Sequence, residues 1–184
     1  MSNLVIRPAS VLDIPFIFDL LTNSTLNDGS FNENNLTSTG YVSLFISLVA
    51  ALDVWRQWLR HASEKPELQI TEFEGEAIGF MHCVQYVTDE RVPFIYLKVC
   101  VISPRFRNKG FGKKMVESLI ERQARGGKVG AHCNRYAKAM QHIFKRKHFV
   151  RRSVGFGLEF YEWHGERSDH ASESFGKEDE RTGS

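Results

Sequence analysis

The sequence predicts an α/β domain, and three stretches carry that reading. Phe94–Ile102 (FIYLKVCVI) is apolar on both faces, the pattern of a covered central strand rather than an edge. From Gly110 the apolar residues recur as Phe111, Met115, Val116, Leu119 and Ile120, one helical stripe, while Lys113, Lys114, Glu117, Glu121 and Arg122 point elsewhere. Leu68–Phe73 and Ala77–Val87 flank Glu74-Gly75-Glu76, a glycine-bearing turn that reads as a hairpin.

Taken from the N-terminus, Leu4–Pro8 opens as a strand. A helix is expected over about Val11–Leu21, capped by Ser10 or Asp13. With Asp13 as the cap, Pro15 falls in the first turn, where its missing N–H costs nothing. Asn23–Thr39 is rich in Asn, Ser, Thr and Gly and reads as a loop or a short broken helix. Tyr41–His61 carries Leu44, Phe45, Leu48, Leu52, Trp55 and Leu59 at helical spacing, so a second helix is expected there. Its apolar residues read first as core packing, with Trp55 and Trp58 as candidates for lining a cleft. After the hairpin, Thr88–Pro93 is a polar turn into the central strand. Simple alternation in that strand puts Ile95, Leu97, Val99 and Val101 on one face and Phe94, Tyr96, Lys98, Cys100 and Ile102 on the other. Pro104, which cannot donate to a ladder, stops it. Gly126-Gly127 ends the next helix. Val129–Cys133 then reads as a strand, Tyr136–Lys147 as a helix, and Phe149–Val154 and Leu158–Trp163 as strands.

The 184 residues are enough for one core. Residues 1–164 are therefore expected to form a single domain, and 165–184, polar and without periodicity, a disordered tail. A net charge of +2 is too small to argue for nucleic acid. The longest apolar stretch, Tyr41–Val54, is too short to span a bilayer, and Asn3–Pro8 reads as a strand rather than a signal segment. Cys83, Cys100 and Cys133 are odd in number and far apart, which reads as reduced core thiols in a cytoplasmic protein. No spacing points to a metal site.

Between the central strand and its helix lies Arg107-Asn108-Lys109-Gly110-Phe111-Gly112, of the form R-x-x-G-x-G. It lacks the lysine–hydroxyl ending of a nucleotide P-loop and the spacing of a dinucleotide fingerprint. A glycine-punctuated loop at a helix start suits phosphate, because backbone N–H groups converge there and the helix dipole adds positive potential. On its own the loop reads equally as a solvated basic helix start. Together with the strand ending in Val101-Ile102-Ser103-Pro104 and with Phe106, however, it closely resembles the acetyl-CoA-binding motif of the GNAT acyltransferase superfamily.

That resemblance implies a mixed, mostly antiparallel, strongly bent sheet with helices on both faces, spanning about Leu4–Trp163. It implies acetyl-CoA as acyl donor, no metal, and an N-acetyltransferase acting by direct attack in a ternary complex. Cys100, Val101 and Ile102 would pair with the pantetheine arm, and Arg107, Asn108, Lys109, Gly110, Phe111 and Gly112 would hold the pyrophosphate. Asn134, with Ala137, and Phe144 match later cofactor-side positions, and Phe149 matches a final aromatic, although His148 replaces the family's glycine. The expected partners are a small-molecule or peptide amine, and a second copy of the chain as an option, with neither membrane nor nucleic acid.

The chemistry requires a neutral amine, donors for a developing oxyanion, and a leaving thiolate. An alkylamine has a pKa of about 10.4, so a base helps at neutral pH, whereas a thiol near 8.5 already leaves readily. The family's strand glutamate corresponds here to Tyr96, and its helix tyrosine to Phe144, which has no hydroxyl. Tyr96 and His82 are the catalytic candidates, with His132, Asp89, Glu90 and Tyr136 as further proton-handling options. The departures leave a second reading open, a catalytically weak acyl-CoA-binding sensor or scaffold. A basic cluster, Lys145, Arg146, Lys147, Arg151 and Arg152, reads first as a solvated helix end.

Overall fold

The computed structural model describes residues 3–28, 64–134, 136–153 and 158–166. The expected second helix, the two tryptophans in it, the loop beyond Asp28 and the tail beyond Glu166 lie outside them. Seven strands form one sheet: β1 (Leu4–Pro8), β2 (Glu64–Phe73), β3 (Glu76–Val87), β4 (Pro93–Ile102), β5 (Lys128–Asn134), β6 (Val150–Ser153) and β7 (Leu158–His164). Among the described residues three α-helices accompany them: α1 (Ile14–Asp28), α2 (Phe111–Gln123) and α3 (Lys138–Arg146).

The strand order is β1-β2-β3-β4-β5-β7-β6. Among these seven strands only β4 and β5 pair in parallel, with α2 as their crossover, and the other strand pairings are antiparallel. A parallel pair needs such a crossover, because a tight turn cannot reverse the chain twice. The hairpin turn at Glu74-Gly75 has φ of 53° and 82°, the left-handed pair that matches strand twist.

Each face of the sheet carries its own core. On one, Met81, Cys83, Ile95, Leu97, Val129 and Tyr161 pack against Met115, Val116 and Leu119 of α2 and Phe144 of α3. On the other, Leu68, Ile70, Phe80, Val99 and Val101 pack against Ile17, Leu20 and Leu21 of α1. Burying an aliphatic side chain of this size contributes about 1.5–3 kcal/mol, so both helices are held by their apolar stripes.

Three sequence expectations need correction. The helix expected to end near Leu21 runs to Asp28, so the first residues of the Asn23–Thr39 stretch are helical rather than loop. Its start is a 3-10 turn, Val11–Asp13, closed by a capping box in which Ser10 N and Oγ donate to Asp13 Oδ2 at 2.7 and 2.9 Å. Arg7 grips the same carboxylate through both terminal nitrogens at 2.8 Å, which holds Asp13 down at about 2. The third correction concerns β4. Its alternation does not persist: Ile95 and Leu97 face α2, but Val99 and Val101 face α1. The register shows why. His82 pairs with Val99 and Cys83 with Leu97, so Lys98 is an extra residue, a β-bulge that exchanges the faces beyond it.

Candidate functional site

The bulge also sets where β4 and β5 part. Their pairing covers Phe94–Leu97 against Lys128–Ala131 and stops there. Beyond it β5 continues with β7 through Asn134, and β4 continues with β3 through Ile102. A bulge bends its strand and increases its twist, which carries β4 away from β5. The result is a fork, with Lys98–Ile102 exposing one backbone edge to it. Ser103 N donates to Ile78 O at 2.8 Å, which fixes the phase of the ladder. By antiparallel alternation Val101 bonds to β3, while Cys100 and Ile102 turn their N–H and C=O toward the fork. Ile102 O is met there by Arg107 Nε at 3.0 Å.

The loop at the end of β4 is fixed by aromatic packing. Phe106, in the 3-10 turn Pro104–Phe106, and Phe111, at the start of α2, both pack on Phe73 with ring centroids 6.5 and 4.9 Å away. The Arg105 guanidinium lies 4.7 Å and Lys109 Nζ 5.2 Å from the Phe106 ring, each in cation–π range. Between these anchors Asn108 and Gly110 adopt φ of 60° and 84°. Two left-handed residues around Lys109 curl the backbone into a concave nest. The first amide after Arg107 to reach a backbone carbonyl is that of Lys114, which donates to Gly110 O at 3.2 Å. Among the described residues no backbone acceptor takes the amides of Asn108 through Lys113. A Cβ at Gly110 would meet nothing within 4 Å, so the nest opens outward. Donor-rich, positive and backed by a helix N-terminus, this cradle fits a diphosphate.

The other expected site residues divide. Cys100 and Ile102 turn their backbone to the fork, whereas Val101, expected beside them, is bonded to β3, and Arg107, whose side chain returns to Ile102 O, braces the loop from below. Asn134 ends β5 across the fork, its backbone paired with Leu158. Phe144 is fully enclosed, its ring centroid 4.6 Å from that of Phe149 and 5.3 Å from that of Tyr161 in tilted contacts, so here it serves the core under α3.

Tyr96 and His82 lie on the same face of the sheet, the one shared with α1. His82 is fully buried and among the described residues neither ring nitrogen has a partner; burial, with Lys98 second, lowers it to about 4. Tyr96 is half-buried, and burial raises its phenol above the ordinary value. Its Oη shares a hydrogen bond of 2.5 Å with Nδ1 of His132 on β5. Sequence reasoning counted His132 among several options but could not see this pairing across 36 positions, because it depends on the parallel register of β4 and β5. Asp89 and Glu90 are exposed in the turn before β4, and Tyr136 is exposed ahead of α3. The described residues include no cluster of three metal-ligating side chains.

A family model, described as the acetyltransferase (GNAT) family, matches residues 35–156. A search of curated proteins finds no match to the chain. Several solved structures share its fold. A GNAT superfamily phosphinothricin acetyltransferase from Sinorhizobium meliloti, in complex with acetyl-CoA, superposes with a TM-score of 0.64 at 18% identity, covering 90% of each chain. The spermidine N-acetyltransferase of Vibrio cholerae, in complex with coenzyme A and spermine, does so at 0.59 and 15%, covering 88% of this chain and 95% of its own. A ribosomal-protein-alanine N-acetyltransferase from Brucella melitensis gives 0.60 and 15%, covering 87% and 99%. Identities this low speak for the fold alone.

Proposed function

Because the chain belongs to the GNAT acetyltransferase family, we propose that it transfers an acetyl group from acetyl-CoA to a primary amine by direct attack within a ternary complex. The observation that carries this reading is the fork with the nest at its end. The edge at Cys100 and Ile102 suits the two amides of a pantetheine arm, and the amides from Asn108 to Lys113, which meet no backbone acceptor among the described residues, suit its diphosphate. Arg105, Lys109, Lys113 and Lys114 add positive potential around that end. With the carrier so placed, its thioester falls where β4 and β5 diverge, and an amine reaches it from the α1 face. Fork-side amides of β4 are the natural donors to the developing oxyanion.

One sheet that includes both β1 and β7 supports a single domain over residues 1–164. Cys83, Cys100 and Cys133 are free, with burial pushing all three thiols up and leaving them protonated, which fits the reducing cytoplasm. Small-molecule and peptide amines are both compatible acceptors.

A panel of spermidine, phenethylamine, an alanine-initiated peptide and an aminoglycoside, each mixed with acetyl-CoA and a thiol reagent, tests the reading. Amine-dependent thiol release is expected with at least one of them. The second reading, a sensor or scaffold that binds acyl-CoA, is favoured by one observation: the positions of the family's glutamate and tyrosine hold Tyr96 and the enclosed Phe144. Tight coenzyme A binding with no release from any amine would select it.

A further inference from the structure

Where β4 and β5 part, one side chain from each strand meets across the gap. His132 is the first residue of β5 beyond the last β4–β5 pair, and Tyr96 lies next to that pair on β4. Their rings stand nearly perpendicular, at 76°, with centroids 5.6 Å apart, and Phe160 flanks the imidazole at 4.9 Å. Two neighbours and one hydrogen bond therefore fix the ring, while His132 as a whole stays exposed. Among the described residues Nε2 has no partner.

The pair is on the face opposite α2. His132 is aligned with Phe160 across β5 and β7, whereas Tyr161 and Ala131 belong to the core under α2. A carrier seated by the nest at the start of α2 thus presents its thioester between the strands, with this imidazole on the side from which an amine approaches.

We propose that His132 Nε2 takes the proton of the attacking amine and that Tyr96 positions the ring for it; the inference rests on the acyl-transfer reading above. The amine nitrogen forms a bond to the thioester carbonyl carbon and the carbon–sulfur bond breaks. The electron pair leaves with sulfur, which is protonated by solvent; the nitrogen's proton goes to Nε2 and from there to solvent. For Nε2 to hold a lone pair, the ring's own proton sits on Nδ1 and is donated to Tyr96 Oη. Partial burial lowers the imidazole from its ordinary value, which keeps it neutral at pH 7, and the raised phenol stays protonated. Among the described residues, the titratable and charged groups on this face of the neighbouring strands include Lys98 at the bulge, His82 and Tyr86 of β3, Glu64 of β2, Lys128 at the start of β5, Glu162 and His164 of β7, and Arg152 of β6. None makes an ion pair or hydrogen bond with His132 among the described residues.

The free protein tests the tautomer directly. Nitrogen NMR of His132, assigned by difference against His132→Gln, should show Nδ1 protonated and Nε2 bare; the opposite tautomer overturns the proposal. With an amine accepted in the thiol-release panel, wild-type kcat/KM should fall with acidification below the imidazole pKa. His132→Gln should remove that limb and lower kcat by about 10²–10⁴-fold while coenzyme A affinity holds. His132→Ala should regain rate with added imidazole, which a packing role would not allow. Tyr96→Phe should move the limb to lower pH, since the imidazolium loses an acceptor; an unmoved limb removes Tyr96 from its role. A His132→Gln enzyme with its limb intact and kcat within about threefold of wild type overturns the inference alone. A wild type that binds coenzyme A yet releases no thiol with any amine overturns the transferase reading, and this inference with it.

Discussion

His82 is a histidine held neutral by burial. Its side chain is enclosed in β3, and its lowered pKa of about 4 compares with an ordinary 6.5. The folded-state value is the lower one, so on acidification the unfolded chain takes up the proton first. The stability this group leaves untouched above about pH 6.5 is therefore lost as pH falls toward 4, by about 2 kcal/mol at pH 5 and about 3 in full. Because both nitrogens are unpartnered among the described residues, an apolar replacement removes the titration without orphaning a hydrogen-bond donor or acceptor of theirs. Urea unfolding at pH 7 and pH 5 should show His82→Leu losing less stability than wild type by about 2 kcal/mol. Equal losses in the two proteins would mean that His82 finds a partner in solution. At this scale the residue types were legible and their surroundings were not. His82, Tyr96 and His132 stand out in the sequence as titratable groups on strands. Their burial and pairing depend on neighbours 12 to 36 positions away, which no local pattern encodes.

The elements around the site carry their own signatures. α3 closes with a Schellman motif: Phe149 N donates to Phe144 O at 3.0 Å and His148 N to Lys145 O at 3.3 Å, with the Phe144 and Phe149 rings in contact. The motif needs a left-handed residue, and His148 fills it with φ of 61°. That explains the departure from glycine noticed in the sequence: the conformation is kept, and the side chain is strained. Since His148 is exposed, His148→Gly should raise stability by about 1 kcal/mol in thermal or urea unfolding. A fall in stability would show that the imidazole makes a compensating contact. In the nest, Gly110→Asp and Gly112→Asp should weaken coenzyme A at least about tenfold by calorimetry through charge repulsion. Unfolding should stay cooperative, because the Gly110 Cβ direction is open, leaving only the strain of a side chain at φ 84°, and at Gly112 a Cβ meets only Ile143 Cδ1 at 3.5 Å. Unchanged affinity in both would move the diphosphate elsewhere. These elements were the most legible part of the chain, because strand, proline stop, nest and helix stripe are contiguous and each rests on a local rule. The bulge at Lys98 was not, since one lysine in an apolar strand has no signature that separates an outward residue from an extra one.

For the whole molecule, the decisive feature is that one sheet is split between β4 and β5 while remaining continuous through β3 on one side and β7 on the other. The two cores make this possible: α2 and α3 secure one face and α1 the other, so β4 need not be paired on both edges along its length. The mixed, mostly antiparallel sheet and its covering by helices on both faces agree with what the motif's resemblance implied. What lay beyond the sequence was the length of the β4–β5 ladder, because pairing across a crossover is set by packing and twist. A structure of the protein with acetyl-CoA bound is the direct test of the fork. The pantetheine amides should bond to the backbone of Cys100 and Ile102 and the diphosphate to the amides between Asn108 and Lys113. A carrier bound elsewhere, or β4 and β5 zipped together past Leu97 in the complex, would contradict it.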